Sequence, residues 1–139
     1  MTPHHIVMRA AEFGIDAIAI TDHNASANVV AALQAGERYG VKVFPGMEVE
    51  CLEEAHIVVL FDKMKQLVAC QKLVDSKMNG LPNDANRFGA QFVVDEDDNF
   101  LREDERLLHA PLAMTAEEVV REVNALGGIA IAAHIDRPS

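Results

Sequence analysis

Apolar and polar positions along the chain divide it into alternating helices and strands. Ile6, Val7, Ala10, Ala11 and Phe13 recur at helical spacing, which predicts a helix over 3–13. Thr2 suits its cap, Pro3 its first turn, and Gly14 its left-handed end. Asp16-Ala-Ile-Ala-Ile20 then reads as a short strand buried on both faces. The pattern repeats with a helix over 28–39, capped by Ser26 and stopped by Gly40, and a strand over 41–44. After Pro45-Gly46, residues 47–51 alternate, and 55–61 form another strand. Their closeness predicts a hairpin turning at 52–54. A helix over 63–78 and a loop over 79–84 follow. Gln91-Phe-Val-Val94 and Phe100-Leu101 flank an acidic tip, read as a solvated hairpin turn rather than a calcium loop, since it lacks the Gly and distal Glu of that motif. The last helix, 116–126, carries a capping box from Thr115 and Glu118. Gly127-Gly128 ends it before the strand Ile129-Ala-Ile-Ala-Ala133. Strands alternating with helices imply an α/β fold, one domain over 1–139, with a mostly parallel sheet and right-handed crossovers.

Composition narrows the class. Half of the 139 residues are hydrophobic and 24% are charged, as in a globular chain with one core. The longest apolar run is far short of the roughly 20 residues that span a bilayer, and no signal-peptide pattern opens the sequence, so a cytoplasmic protein is expected. Twelve basic residues against 22 acidic ones give a net charge of −10, which disfavours broad nucleic-acid binding. A metal-bridged phosphate ligand remains compatible, because the ion supplies local positive charge. Cys51 and Cys70 have no metal or disulfide spacing and read as buried thiols.

The chemistry gathers where apolar strands stop. The first ends in Asp22-His23, the second leads to Glu48 and Glu50, and the last ends in His134 and Asp136. Parallel α/β sheets build their sites at such carboxyl ends, so these groups are expected on one rim. His56 joins them if the hairpin register keeps Glu48, Glu50 and His56 on one face, which requires an odd-numbered turn or a bulge. Imidazole mixed with carboxylate suits zinc, iron or manganese; magnesium is possible but prefers oxygen alone. No serine or cysteine nucleophile has a base beside it. His4, His5 and His109 lack such a placement and are expected at the surface.

At these residues the sequence resembles the PHP family, named for polymerases and histidinol phosphatases. Ile18-Ala-Ile-Thr-Asp-His-Asn24, Pro45-Gly-Met-Glu-Val-Glu50, His56-Ile-Val-Val-Leu60 and Ala133-His-Ile-Asp-Arg-Pro138 resemble four of its motifs in order. The resemblance implies a partial, distorted (β/α)7 barrel of the TIM-like kind, with divalent metal ions at its carboxyl rim. It implies His23, Glu48, His56 and His134 as metal ligands, with Glu48, His56 and His134 at one position and His23 at a neighbouring one. Asp22 would orient ligands, and Arg137 would grip a substrate phosphate. The implied activity is hydrolysis of a small phosphorylated substrate or nucleotide by metal-activated water. Family members also carry a His-x-His motif before the matched region and an Asp-x-His motif after it. Without these the expected form is truncated, with weak or no activity. A non-catalytic metal-binding or interaction module is the alternative, and self-association covering open sheet edges is expected with it. A magnesium-binding open α/β domain is a third reading, disfavoured by the histidine-rich rim.

Overall fold

The computed structural model describes residues 1–136. Helix α1 (Pro3–Glu12) is capped by Thr2, whose hydroxyl accepts from the His5 amide. Strand β1 (Ala17–Ile20), helix α2 (Val29–Tyr39) and strand β2 (Lys42–Glu50) follow. Strand β3 (His56–Leu60) returns along β2 and leads into α3 (Met64–Lys77) and the single-turn α4 (Ala85–Phe88). Strands β4 (Phe92–Val94) and β5 (Phe100–Glu103), helix α5 (Ala116–Ala125) and strand β6 (Ile129–Ala132) complete the order. No helix among the described residues is long and apolar enough to cross a membrane.

The main sheet is mixed, which corrects the mostly parallel one expected. Its order is β1-β2-β3-β6, and only the β1–β2 pair is parallel. The reason is local: Leu52, Glu53 and Glu54 make a three-residue turn, and so short a link can only reverse the chain. Glu54 adopts a left-handed φ of 61°, as three-residue hairpin turns require. The four strands form an open sheet with β1 and β6 at its edges, and β4–β5 stand apart as a separate pair. Strand β2 also runs unbroken through Pro45-Gly46, where the sequence suggested an interruption. Pro45 is accommodated because its register partner is Ile20 of β1 and its carbonyl accepts from the Phe61 amide.

Burial follows the period-two pattern. Met47, Val49 and Val59 are fully buried, and they pack in the core with Leu67 and Val74 of α3 and Val119 and Val123 of α5. Residues between them along β2 and β3 point to the other face, including Glu48, Glu50 and His56. Farther along that face, Phe44, Leu60 and Ile129 line an open apolar depression. Cys51 and Cys70 are buried free thiols, and burial pushes both up to about 11, so neither is a nucleophile at neutral pH.

The segment from α4 to α5 lies over the carboxyl end of the sheet and is held by polar anchors. Asp104 is almost fully buried and takes two guanidinium hydrogen bonds from Arg106, at 2.8 and 2.7 Å. Arg106 reaches on to Asp75 of α3 at 2.7 Å. The acidic tip is not simply solvated. Glu96 accepts from His4 through its carbonyl, Arg38 pairs with Asp97, and His5 with Asp98. Within the tip, Asp95 accepts from the amides of Asp97 and Asn99, the side-chain turn that Asp favours.

Two outcomes test this fold. A Cβ on Gly46 would lie 2.8 Å from a Leu60 methyl and 2.9 Å from the Val59 carbonyl. Gly46→Ala must therefore push β2 from β3 and lower the urea midpoint by an equivalent of about 1–3 kcal/mol. Asp104→Asn should cost about 1.5–3 kcal/mol at pH 7 in the same assay. The Arg106 hydrogen bonds hold the Asp104 carboxyl below its ordinary value. Its contribution is present above the unfolded value of about 3.9 and is lost as pH falls through the folded one. The gap between wild type and Asp104→Asn should close over that acid window.

Candidate metal centre

Strands β1, β2 and β6 run in one direction, and β3 runs against them. The carboxyl ends of three strands and the start of the fourth therefore share one rim. His23 follows β1, Glu48 and Glu50 close β2, His56 opens β3, and His134 follows β6. The hairpin register pairs Glu50 with His56 and Glu48 with Val58, which keeps the three polar residues on one face. Parallel pairing continues past β1 through an isolated bridge between His23 and Glu48. There the Glu48 amide donates to the Asp22 carbonyl at 3.0 Å, and the Asn24 amide to the Glu48 carbonyl at 2.8 Å.

Glu48 is the hub. Its Oε1 lies 3.3 Å from His56 Nδ1 and 3.6 Å from His134 Nε2, and those two nitrogens are 3.0 Å apart. Its Oε2 lies 3.8 Å from His23 Nε2. A tetrahedral ion with bonds of about 2.0–2.1 Å separates its ligand atoms by about 3.3–3.4 Å. The Glu48–His56–His134 triangle has that size. His23, Glu50 and His56 form a second cluster, each offering one donor atom within 4.8 Å of the others.

Two features fit an electron-pair acceptor at this rim. His23 Nδ1 is buried with no hydrogen-bond partner among the described residues, a state that costs about 1–3 kcal/mol when nothing fills it. Burial, with His109 alongside, also lowers the His23 pKa and favours the neutral ring that ligates metals. His134 has a φ of 33°, in the left-handed region. A non-glycine residue held there is strained, and such strain gathers at functional sites.

The other expected residues fall as follows. Asp22 lies beside this group, and its Oδ2 accepts from Asn28 Nδ2 at 3.2 Å. Arg137 lies outside the described residues. Three contributors were not legible as such. His109 is exposed, yet its ring centroid lies 3.9 Å from that of His23, the two rings tilted by 42°. Asn24 is fully buried with a φ of 49°, and its Nδ2 donates to the carbonyls of Leu108 and Ala110 at 2.9 and 3.0 Å. Its Oδ1 accepts from the Glu50 amide at 3.0 Å. Asn28, at the start of α2, makes no capping bond and neither does Ser26 through its side chain; the Asn28 amide is engaged with Asp22 and β4 instead. Only the Asp-His-Asn run hinted at Asn24, and the link from His109 to His23 spans 86 positions with no local signal.

Beside His23 opens a cleft of about 350 Å3, walled by the loop after β1 on one side and by Phe92, Val93, Leu108 and His109 on the other.

A model of the PHP domain matches residues 1–138. The PolC-type DNA polymerase III of Caldanaerobacter subterraneus subsp. tengcongensis is 35% identical over 78 residues, 56% of this chain and 6% of the polymerase. Among solved structures, a protein of Bifidobacterium adolescentis described as a metal-dependent phosphoesterase superposes with a TM-score of 0.63 at 18% identity. An amidohydrolase from Chromobacterium violaceum, with bound sulfate and no metal, superposes at 0.60 with 20% identity. Each comparison covers 99% of this chain and 63% of the solved one. At these identities the superpositions speak for the fold, which is mixed α/β and shared with both. With the family model matched from the first residue almost to the last, the chain belongs to the PHP domain family.

Proposed function

We propose that this chain carries a metal centre for the hydrolysis of phosphate esters, with Glu48, His56 and His134 holding one divalent ion and His23 serving a neighbouring position. The observation that carries the reading is the triangle of 3.3, 3.6 and 3.0 Å between their donor atoms. Two imidazoles and a carboxylate suit zinc, manganese or iron better than magnesium. One solved neighbour is described as a metal-dependent phosphoesterase, which agrees with this reading; the other is described as an amidohydrolase and holds sulfate, a phosphate-like anion, with no metal. A bound ion supplies Lewis acidity toward a phosphoryl oxygen and acidifies the attacking water.

The residues around it have separate tasks. Glu48 places its two oxygens toward different imidazoles and so ties the two positions together. His56 and His134 would each offer one ring nitrogen, the two lying 3.0 Å apart beside Glu48 Oε1. Asp22, fixed by Asn28, would add its negative charge beside His23 and so favour a cation there. The role of gripping the substrate phosphate falls to Arg137 by the family resemblance, since its planar fork suits two oxygens at once. With no lysine or arginine lining the cleft among the described residues, an entering phosphate depends on the ion and on Arg137 for its positive charge.

The test is metal content by mass spectrometry after loading and desalting, with circular dichroism to establish folding. About one equivalent of zinc, manganese or iron in wild type is expected, lost in both His134→Ala and Glu48→Gln. Folded wild type without metal, or equal retention in both variants, overturns the assignment.

A further inference from the structure

We propose that the cleft beside His23 is a subsite for a neutral leaving group with a flat aromatic ring, so that the substrate is the phosphate monoester of an aryl, heteroaryl or arylmethyl alcohol with no second anionic group. Only the position of the phosphate rests on the metal-centre reading above. Glu48 and His23 line both the donor cluster and the cleft, whereas His56 and His134 line the cluster alone. A substituent on a phosphate held at the cluster therefore passes His23 into this space. At about 350 Å3 the cleft has the size of a small-molecule pocket and exceeds what a phosphate fills.

Its walls select by shape and charge. Phe92 keeps 55% of its surface exposed despite its edge-on contact with Phe100. An aromatic ring left open beside a polar cluster is a stacking surface, and the His109 ring stands on the same wall. The His109 nitrogens bond no described residue, which leaves a polar group to meet a heteroatom. The charged residues of the lining are acidic: Asp22, Glu48 and Asp104. The two cations beside Asp104 are already paired, Arg106 with Asp104 and Asp75 and Arg102 with Asp104 at 3.5 Å, and neither lines the cleft. A second phosphate would have to compete for them and would face the Asp22 carboxylate.

The cleft is also preformed. Asn28 donates to the Phe92 carbonyl at 3.2 Å and accepts from the Val94 amide at 3.1 Å, fixing β4 to the opposite wall. Asn24 fixes the backbone on both sides of His109 in the same way. A rigid wall binds without an ordering cost, which favours a flat, rigid guest.

Methyl-detected NMR on the full chain tests the subsite without any metal. Millimolar benzyl alcohol should shift the Ala25, Ala27, Val93 and Leu108 methyls in wild type but not in Phe92→Ala, whose exposed ring can be removed without opening the core. His109→Ala should weaken the shift if the hairpin of Phe92→Ala is perturbed. On zinc-loaded protein, phenylphosphonate should bind about tenfold tighter than methylphosphonate. The diphosphonate 1,4-phenylenediphosphonate should gain nothing over phenylphosphonate. Silent methyls in folded wild type, or equal affinity for phenyl- and methylphosphonate, overturn the subsite. Tighter binding of the diphosphonate overturns the charge selection. Methyl shifts with benzyl alcohol while no phosphonate binds the zinc form overturn the metal-centre reading and leave the cleft standing.

Discussion

Strand β2 is bonded in parallel to β1 on one side and antiparallel to β3 on the other, and the two registers meet at Glu48. A slip of one residue on either side would turn Glu48 into the helix-covered core and bring Met47 or Val49 to the rim. Two features prevent it. The three-residue turn at 52–54 fixes the β2–β3 pairing, and the backbone bonds of Glu48 to Asp22 and Asn24 extend the β1–β2 pairing beyond the strand. The buried face of β2 adds the larger force, since Met47 and Val49 would both have to be exposed together. The carboxylate at the hub is thus positioned by apolar burial on the opposite side of its own strand.

Several local conflicts meet at the rim, whereas the helix ends elsewhere are mostly well made. Helix α5 has a complete capping box, α1 has its Thr and Pro start, and α2 ends in a left-handed Gly40. At the rim, by contrast, His134 sits at a positive φ, His23 keeps a buried nitrogen unpaired, and two imidazole nitrogens face each other at 3.0 Å beside a carboxylate. Positive φ at Glu54 and Asp98 belongs to tight turns, but several conflicts meeting at one group of titratable side chains are expected where function, rather than stability, decides the residue. The excess of acidic residues over the whole chain acts in the same direction, because it makes a cation the favourable addition at this point.

Much of this was legible in the sequence because it is encoded by short periods. Helix and strand periodicities placed α1, α3, α5 and β1 close to their observed limits, and the polar residues after each apolar run marked the rim. The reversal of β3 was legible from the three-residue turn at 52–54, and so was the common direction of the strands that end in polar clusters. What a periodic pattern does not record is strand order: β6 pairs with the reversed β3, so two of the three pairings are antiparallel. His109, Asn24 and Asn28 were out of reach for a different reason. Their roles depend on contacts across 64 to 86 positions, made by polar side chains that look like ordinary loop residues in isolation. The acidic tip was misread on the same ground, since its partners His4, His5 and Arg38 come from the first two helices.

The division of labour between the sheet and the segment from α4 to α5 has a consequence for how this site can vary. The donor cluster is built on strand ends whose other face is the core, so a change there is felt in packing as well as in chemistry. The cleft wall is built from a segment that buries Leu112 and Met114 in the core at its far end and is held beside the cleft by Asn24, Asn28, Gln91 and the Asp104–Arg106 pair. Those anchors grip mostly backbone carbonyls and amides, which every residue type supplies. Side chains facing the cleft, such as Phe92 and His109, can therefore change while the anchors keep the wall in place. Recognition of the group attached to the phosphate is then free to diverge without loss of the cluster that would act on the phosphate itself.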